Sequence, residues 1–174
     1  MSGVPAPGGM VIAGIDPGSN VTGYGVIRVD GNRVRWVDSG AIRTSARDRL
    51  PGKLATIFDG LTELMARHAP QWVCIEEAFY AKNVHTTLVL GHARGVAMLA
   101  AQRAGASIAE YSPRAIKQAV VGKGGAGKEQ VAYMVRVILS PPKGRDQADA
   151  CDALAAALCG FNSLRAERLL ERVR

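Results

Sequence analysis

The 174-residue sequence predicts an α/β fold, a five-stranded mixed sheet flanked by helices. Three observations predict it. Three strand-like runs open the chain with only turn signals between them, two short apolar runs then alternate with helical patterns, and helical periodicity fills the remainder. Tight turns join antiparallel strands, whereas strand, helix, strand successions need parallel crossovers, so both senses must meet in one sheet.

The first strand is MVIAGID, residues 10–16, an apolar run stopped by Pro17-Gly18. After only a few residues, 22–29 (TGYGVIRV) reads as its hairpin partner, and the Asp30-Gly31-Asn32 turn leads into a third strand over 33–39. From Leu50 to His68 the apolar residues Leu54, Ile57, Phe58, Leu61, Leu64 and Met65 recur at intervals of three and four, the stripe of an amphipathic helix that Pro70 ends. Residues 72–75 (WVCI) are a short buried strand leading into Glu76-Glu77, then a helix spans 86–104 and a fifth strand 107–110. Ser112-Pro113 is an N-cap followed by a first-turn proline, which starts a short helix through Val120. A glycine-rich basic loop from Gly122 to Lys128, a helix over 129–139 and a last helix over 146–161 complete the pattern, with Pro141-Pro142 breaking the last two apart. This is the ribonuclease H-like order of elements. It predicts one folded domain over 10–162, a flexible extension over 1–9 and a basic tail over 163–174 with Arg165, Arg168, Arg172 and Arg174.

Lys and Arg number 22 against 15 Asp and Glu, a net charge of +7 with a pI near 9.7, which favours a polyanionic partner. No apolar run reaches the roughly 18 residues that a membrane helix needs, and the N-terminal MSGVPAPGG lacks the basic start and apolar run of a secretory signal, so a cytoplasmic protein without a membrane partner is expected. Cys74, Cys151 and Cys159 lie in apolar contexts without metal-ligand spacing and read as buried, reduced thiols.

The acids carry the chemistry. Asp16 ends the first strand and Glu76 the fourth. If those strands are adjacent and parallel, both carboxylates meet at one rim of the sheet. In RDQADACDALAAAL, Asp146, Asp149 and Asp152 recur every third residue, so successive pairs share a helix face and repel. Asp146 is better read as an N-cap, and Asp149 also suits the first turn of a helix. Capping does not explain Asp152, two turns in among Ala and Leu. A divalent cation is the obvious compensator, and oxygen-only ligands select magnesium or manganese over zinc. Such carboxylate-held metals activate water and neutralise a scissile phosphate during in-line displacement. Glu76 and Glu77 would point to opposite sides of a continuing strand, so only one joins the cluster. Asp30, Asp38, Asp48 and Asp59 read as turn or solvent-face acids, and His68, His85 and His92 lack ligand spacing.

The string GKGGAGK matches G-x-x-x-x-G-K, but Glu129 follows where a nucleotide-binding loop needs Ser or Thr, and a helix, not a strand, precedes it. No nucleotide is expected there. The loop reads as a flexible clamp whose Lys123 and Lys128 meet the phosphates of a polyanionic partner through charge.

The strings GIDPGSNVTGYGVI, IEEAFYAKN, LGHARGVA, IKQAVVGKGGAGKEQV and QADACDALA occur in order between about residues 10 and 161. Together they closely resemble the RuvC family of crossover junction endodeoxyribonucleases. The resemblance implies a ribonuclease H-like fold and a homodimer with two active sites that nicks like-polarity strands of a four-way DNA junction. It implies magnesium as cofactor, with manganese substituting, and catalytic, metal-binding acids at Asp16, Glu76, Asp149 and Asp152, choosing Glu76 over Glu77. It further implies DNA contacts by Lys117 and Lys128, a base-stacking aromatic at Phe79, and a branch-migration motor complex of the RuvA and RuvB type as partner. Lys82, Asn83, Arg94 and Arg114 are weaker candidates for DNA contact. The long helix around residues 91–101, rich in Gly and Ala, is the candidate dimer face. The competing readings are a related ribonuclease H-like nuclease acting on RNA, a noncatalytic junction-binding protein, and an actin-like kinase or ATPase, for whose two lobes the chain is too short.

Overall fold

Strands β1 (Met10–Asp16), β2 (Val21–Asp30) and β3 (Arg33–Arg43) form the antiparallel half of a five-stranded sheet, and β4 (Trp72–Glu76) and β5 (Ser107–Tyr111) add the parallel half, in the order β3-β2-β1-β4-β5. This computed structural model describes residues 9–77, 83–145 and 147–171. Phe79, Tyr80, Lys82, Asp146, Arg172, Arg174 and residues 1–8 lie outside them. The third strand runs past the expected end at Ser39, because β2 offers backbone partners as far as Val21↔Arg43. A register shift after Val26 and the side-chain-free Gly40 break the alternation that would have shown the extension in the sequence.

Side-chain alternation divides the core into two layers. Val11, Ala13 and Ile15 of β1, with Val73 and Ile75 of β4, face α1 (Leu50–His68) and α2 (Val84–Arg103). Ile12 and Cys74 face the other way, toward α3 (Pro113–Val121), α4 (Lys128–Leu139) and α5 (Ala148–Glu171). Cys74, Cys151 and Cys159 are all buried and none is in a disulfide, and burial pushes the Cys74 thiol up to about 12.

The last helix, α5, is enclosed by the sheet on one side and by α3 and α4 on the other. Every residue from Ala150 to Phe161 is buried except Asp152, which explains why its sequence is apolar all round instead of striped. The approach to the sheet depends on glycine. A Cβ at Gly14 would fall 1.9 Å from the Ala153 carbonyl oxygen, and one at Gly23 would fall 2.1 Å from that of Asp149. The helix runs past its expected end at Phe161 to Glu171, and Leu164 still packs on the core.

The segment before α5 is tied to the edge strand by a group that the sequence misrepresents. Asp38, expected on the solvent face, is only 8% exposed. Its Oδ1 accepts from the Ser39 N–H (2.8 Å) and from Arg145 Nη1 (3.4 Å), and its Oδ2 lies 3.1 Å from His68 Nε2. The Ser39 hydroxyl donates to the Arg145 carbonyl at 2.5 Å. A buried carboxylate is tolerated because these partners satisfy it, and they fix where α5 begins.

Candidate active site

Alternation also determines which acids meet. The parallel β1–β4 register ends at Ile15↔Ile75, with both side chains in the α1–α2 layer. One step on, Asp16 and Glu76 share the parity of Ile12 and Cys74 and so face α5. Glu77 lies beyond the strand, its N–H donating to the Tyr111 carbonyl at 2.9 Å. Asp152 reaches the same space from α5, held down by the contact at Gly14.

Asp16, Glu76 and Asp152 line one cleft of about 160 Å³ together with Lys117, Lys128, Pro113, Ile116, Val131 and Ala155. Burial, then the neighbouring Asp152 and Asp149 charges, push the Asp16 carboxyl up to about 6 against the pull of Lys128. Burial and the charges of Asp16 and Asp152 push Glu76 up to about 7, opposed by Lys128 and Lys117. The cleft thus resists its own negative charge. The Lys128 ammonium offsets part of it, donating to Asp152 Oδ2 at 3.0 Å, and that bond raises the lysine's own pKa.

Asp149 does not line the cleft. Its carboxylate is turned to Arg43, 3.7 Å away, though its charge is felt at Asp16. Arg43 also donates to the Gln147 side chain (3.4 Å), a clamp on the start of α5 that sequence reasoning missed because nothing local distinguishes it from a solvated strand-end arginine. Lys123 is exposed on its loop and outside the cleft lining. That loop, expected to be flexible, is pinned. Gln118 donates to the Gly122 carbonyl (2.8 Å) and accepts from the Gly124 N–H (3.0 Å), Ala126 is buried, and Gly127 donates to the Gln130 side chain (2.9 Å). Gly122, at φ 77°, takes the left-handed conformation that ends α3. The loop therefore delivers Lys128 to the cleft as the first residue of α4. Of the weaker candidates, Asn83 caps α2 by accepting from the His85 N–H (2.8 Å), and Arg94 pairs with Glu110.

Among the described residues no three Asp, Glu, His or Cys side chains are already closed around a common point. The donor set nevertheless fits a hard divalent cation: it offers only carboxylate oxygen, two of its acids are held well above the ordinary carboxylate range by burial and mutual repulsion, and a lysine stands in for positive charge.

The family model described as "Crossover junction endodeoxyribonuclease RuvC" matches residues 12–160. The RuvC protein of Syntrophotalea carbinolica is 50% identical over 161 residues, 92% of this chain and 99% of the relative. The solved Thermus thermophilus RuvC superposes with a TM-score of 0.82 at 34% identity, covering 91% of this chain and 97% of that one. T. thermophilus RuvC in complex with a Holliday junction substrate gives a TM-score of 0.84 at 34% identity, covering 91% and 96%. The five-stranded mixed sheet with its flanking helices is a ribonuclease H-like fold, and this chain belongs to the RuvC family of crossover junction endodeoxyribonucleases.

Proposed function

We propose that this protein is a Holliday junction resolvase that nicks two like-polarity strands of a four-way DNA junction by hydrolysing phosphodiester bonds. The observation that carries the reading is the convergence of Asp16, Glu76 and Asp152 with Lys117 and Lys128 in one cleft, on a chain similar along most of its length to crossover junction endodeoxyribonucleases. Membership in this nuclease family implies a divalent-metal cofactor. We take it to be magnesium, with manganese as a substitute, held by Asp16, Glu76, Asp149 and Asp152. When bound, it would supply Lewis-acid activation of water and charge neutralisation at the phosphate.

The protein's own groups do the rest. Lys117 and Lys128 draw the phosphate toward carboxylates that would otherwise repel it. Lys128 donates to Asp152 Oδ2 at 3.0 Å, so the residue that offsets the acids is also the one we assign to DNA contact beside them. Lys123, on the exposed loop, adds a phosphate contact further out. Phe79, three residues after Glu76, is the residue we assign to stacking on unpaired bases at the crossover.

The α2 helix supports a homodimer. Val84, Leu88 and Leu99 are 78%, 59% and 51% exposed along it, and Gly91 and Gly95 have open space where a Cβ would stand, so a second copy could approach closely. A branch-migration motor of the RuvA and RuvB type is the expected partner, and the cytoplasm the expected compartment. Among the described residues no helix is long and apolar enough to cross a membrane.

The test is incubation with a synthetic four-way junction, with and without magnesium or manganese, beside duplex and RNA-containing controls, with products mapped to the nucleotide. Symmetric, metal-dependent nicks confined to the junction are expected. Binding without cleavage under both metals would favour a noncatalytic junction binder, and cleavage of RNA alone would move the protein to another activity of the same fold.

A further inference from the structure

The acid cleft does not end at Asp152. Lys128 and Asp152 also line a second, wider groove of about 540 Å³, completed by Glu129, Ala132, Tyr133, Arg136 and Ala148. Tyr133 also borders a groove lined by Val121, Gln130 and Met134, so it stands on the surface as a ridge.

The rest of α4 gives no folding reason for an aromatic here. Val131, Val135 and Leu139 bury the inner face of the helix, while Tyr133 is 64% exposed. It is the one aromatic side chain left exposed among the described residues. Burying an aromatic is among the largest packing gains available to a chain, and this one stands in water five residues from Lys128. Charge admits a nucleic-acid strand here. Lys128, at the cleft end, and Arg136, further along the same groove, attract phosphate, while Glu129 brings a negative charge beside Tyr133. A strand leaving the cleft through this groove would keep its backbone on the two cations and offer its uncharged part, the base, to the Tyr133 ring. Ala132 and Ala148 leave room for a flat ring.

We propose that this groove is a nucleobase subsite for the cleaved strand, in which Tyr133 stacks on the unpaired base of the nucleotide next to the scissile phosphate. The proposal rests on the resolvase reading and adds to it a residue that would set which nucleotide is presented for cutting.

The test uses the full chain and a four-way junction carrying 2-aminopurine at successive positions around the wild-type cut. Wild type is compared with Tyr133→Phe, Tyr133→Leu and Tyr133→Ala. Without divalent metal, wild type and Tyr133→Phe should change the probe's emission at one position beside the cut, and the Leu and Ala variants should not. With metal, the Leu and Ala variants should cut about 5- to 150-fold more slowly, the range that loss of one base stack allows. Tyr133→Leu keeps an apolar side chain of similar reach, so its loss of activity at an unchanged thermal midpoint separates stacking from folding. Wild-type emission and rates in Tyr133→Leu would overturn the proposal. Equal losses in Tyr133→Phe and Tyr133→Leu would also overturn it, by moving the role to the hydroxyl. Failure of wild type itself to cut the junction would instead remove the resolvase reading on which the subsite depends.

Discussion

Asp16 and Glu76 stand where burial and each other's charge oppose their ionisation, and this has a measurable consequence for the metal-free protein. In the unfolded chain their pKa values are near 3.8 and 4.5, and in the fold they rise to about 6 and about 7. Groups raised on folding contribute stability that is fully present below about pH 4 and is lost as pH rises through 6 and 7. Asp16→Asn removes one of them. Its thermal stability should match wild type near pH 4 and exceed it by roughly 1–3 kcal/mol above pH 7. Magnesium should narrow that gap by binding wild type more tightly. Parallel pH curves for the two proteins would show that Asp16 is not held above its ordinary range. If Asp16 is the metal ligand proposed above, the same variant should lose cleavage by at least about two orders of magnitude while retaining junction binding, because little DNA contact goes with it. Lys117→Ala and Lys128→Ala should each weaken junction binding and reduce the slope of log affinity against log salt by about 1. An unchanged slope in a filter-binding titration would take that lysine out of the interface.

Elements place these residues through contacts that leave little tolerance. The start of α5 is set from below by Gly14 and Gly23 and from the side by Arg43, Asp38 and Arg145. A Cβ at Gly23 would meet the Asp149 carbonyl oxygen at 2.1 Å and its carbonyl carbon at 2.8 Å, both backbone atoms that cannot swing aside. Gly23→Ala should therefore lift α5, cost about 1–3 kcal/mol of stability and slow cleavage. Denaturant unfolding and junction cleavage measured side by side check this, and a variant that keeps both would show that α5 has slack on the sheet. Alternation was sufficient to read β1 and β4, where apolar runs stop at the two acids. It failed on β3, where the register shift and Gly40 hide the last four residues of the strand. The loop from Gly122 to Lys128 read as flexible because glycine composition was visible and the bonds from Gln118 were not.

At the scale of the whole molecule, two open surfaces follow from one fold. The acid cleft opens where the parallel strands end. The apolar stripe of α2 lies in the opposite helical layer, so a partner on α2 leaves the cleft free for DNA. Leu88→Glu should convert a dimer to a folded monomer by sedimentation and turn paired nicks into unpaired ones, because a charge placed in an apolar interface is costly to desolvate. A variant that still sediments as a dimer would move the interface elsewhere.

The sequence by itself determined the element order, the mixed sheet and the buried cysteines, and it grouped Asp16, Asp149 and Asp152 with one acid of the Glu76-Glu77 pair. Periodicity, strand ends and helical spacing, which are local properties of the chain, carry these readings, whereas the choice of Glu76 over Glu77 came from the family resemblance. Tertiary structure alone decided what surrounds those acids. It showed Asp149 turned to Arg43, Lys128 bonded to Asp152, Asp38 buried beside Arg145, and Tyr133 exposed on a groove that shares Lys128 and Asp152 with the cleft. Each depends on a partner far away in sequence, and burial and charge pairing act through space, where spacing along the chain carries no information.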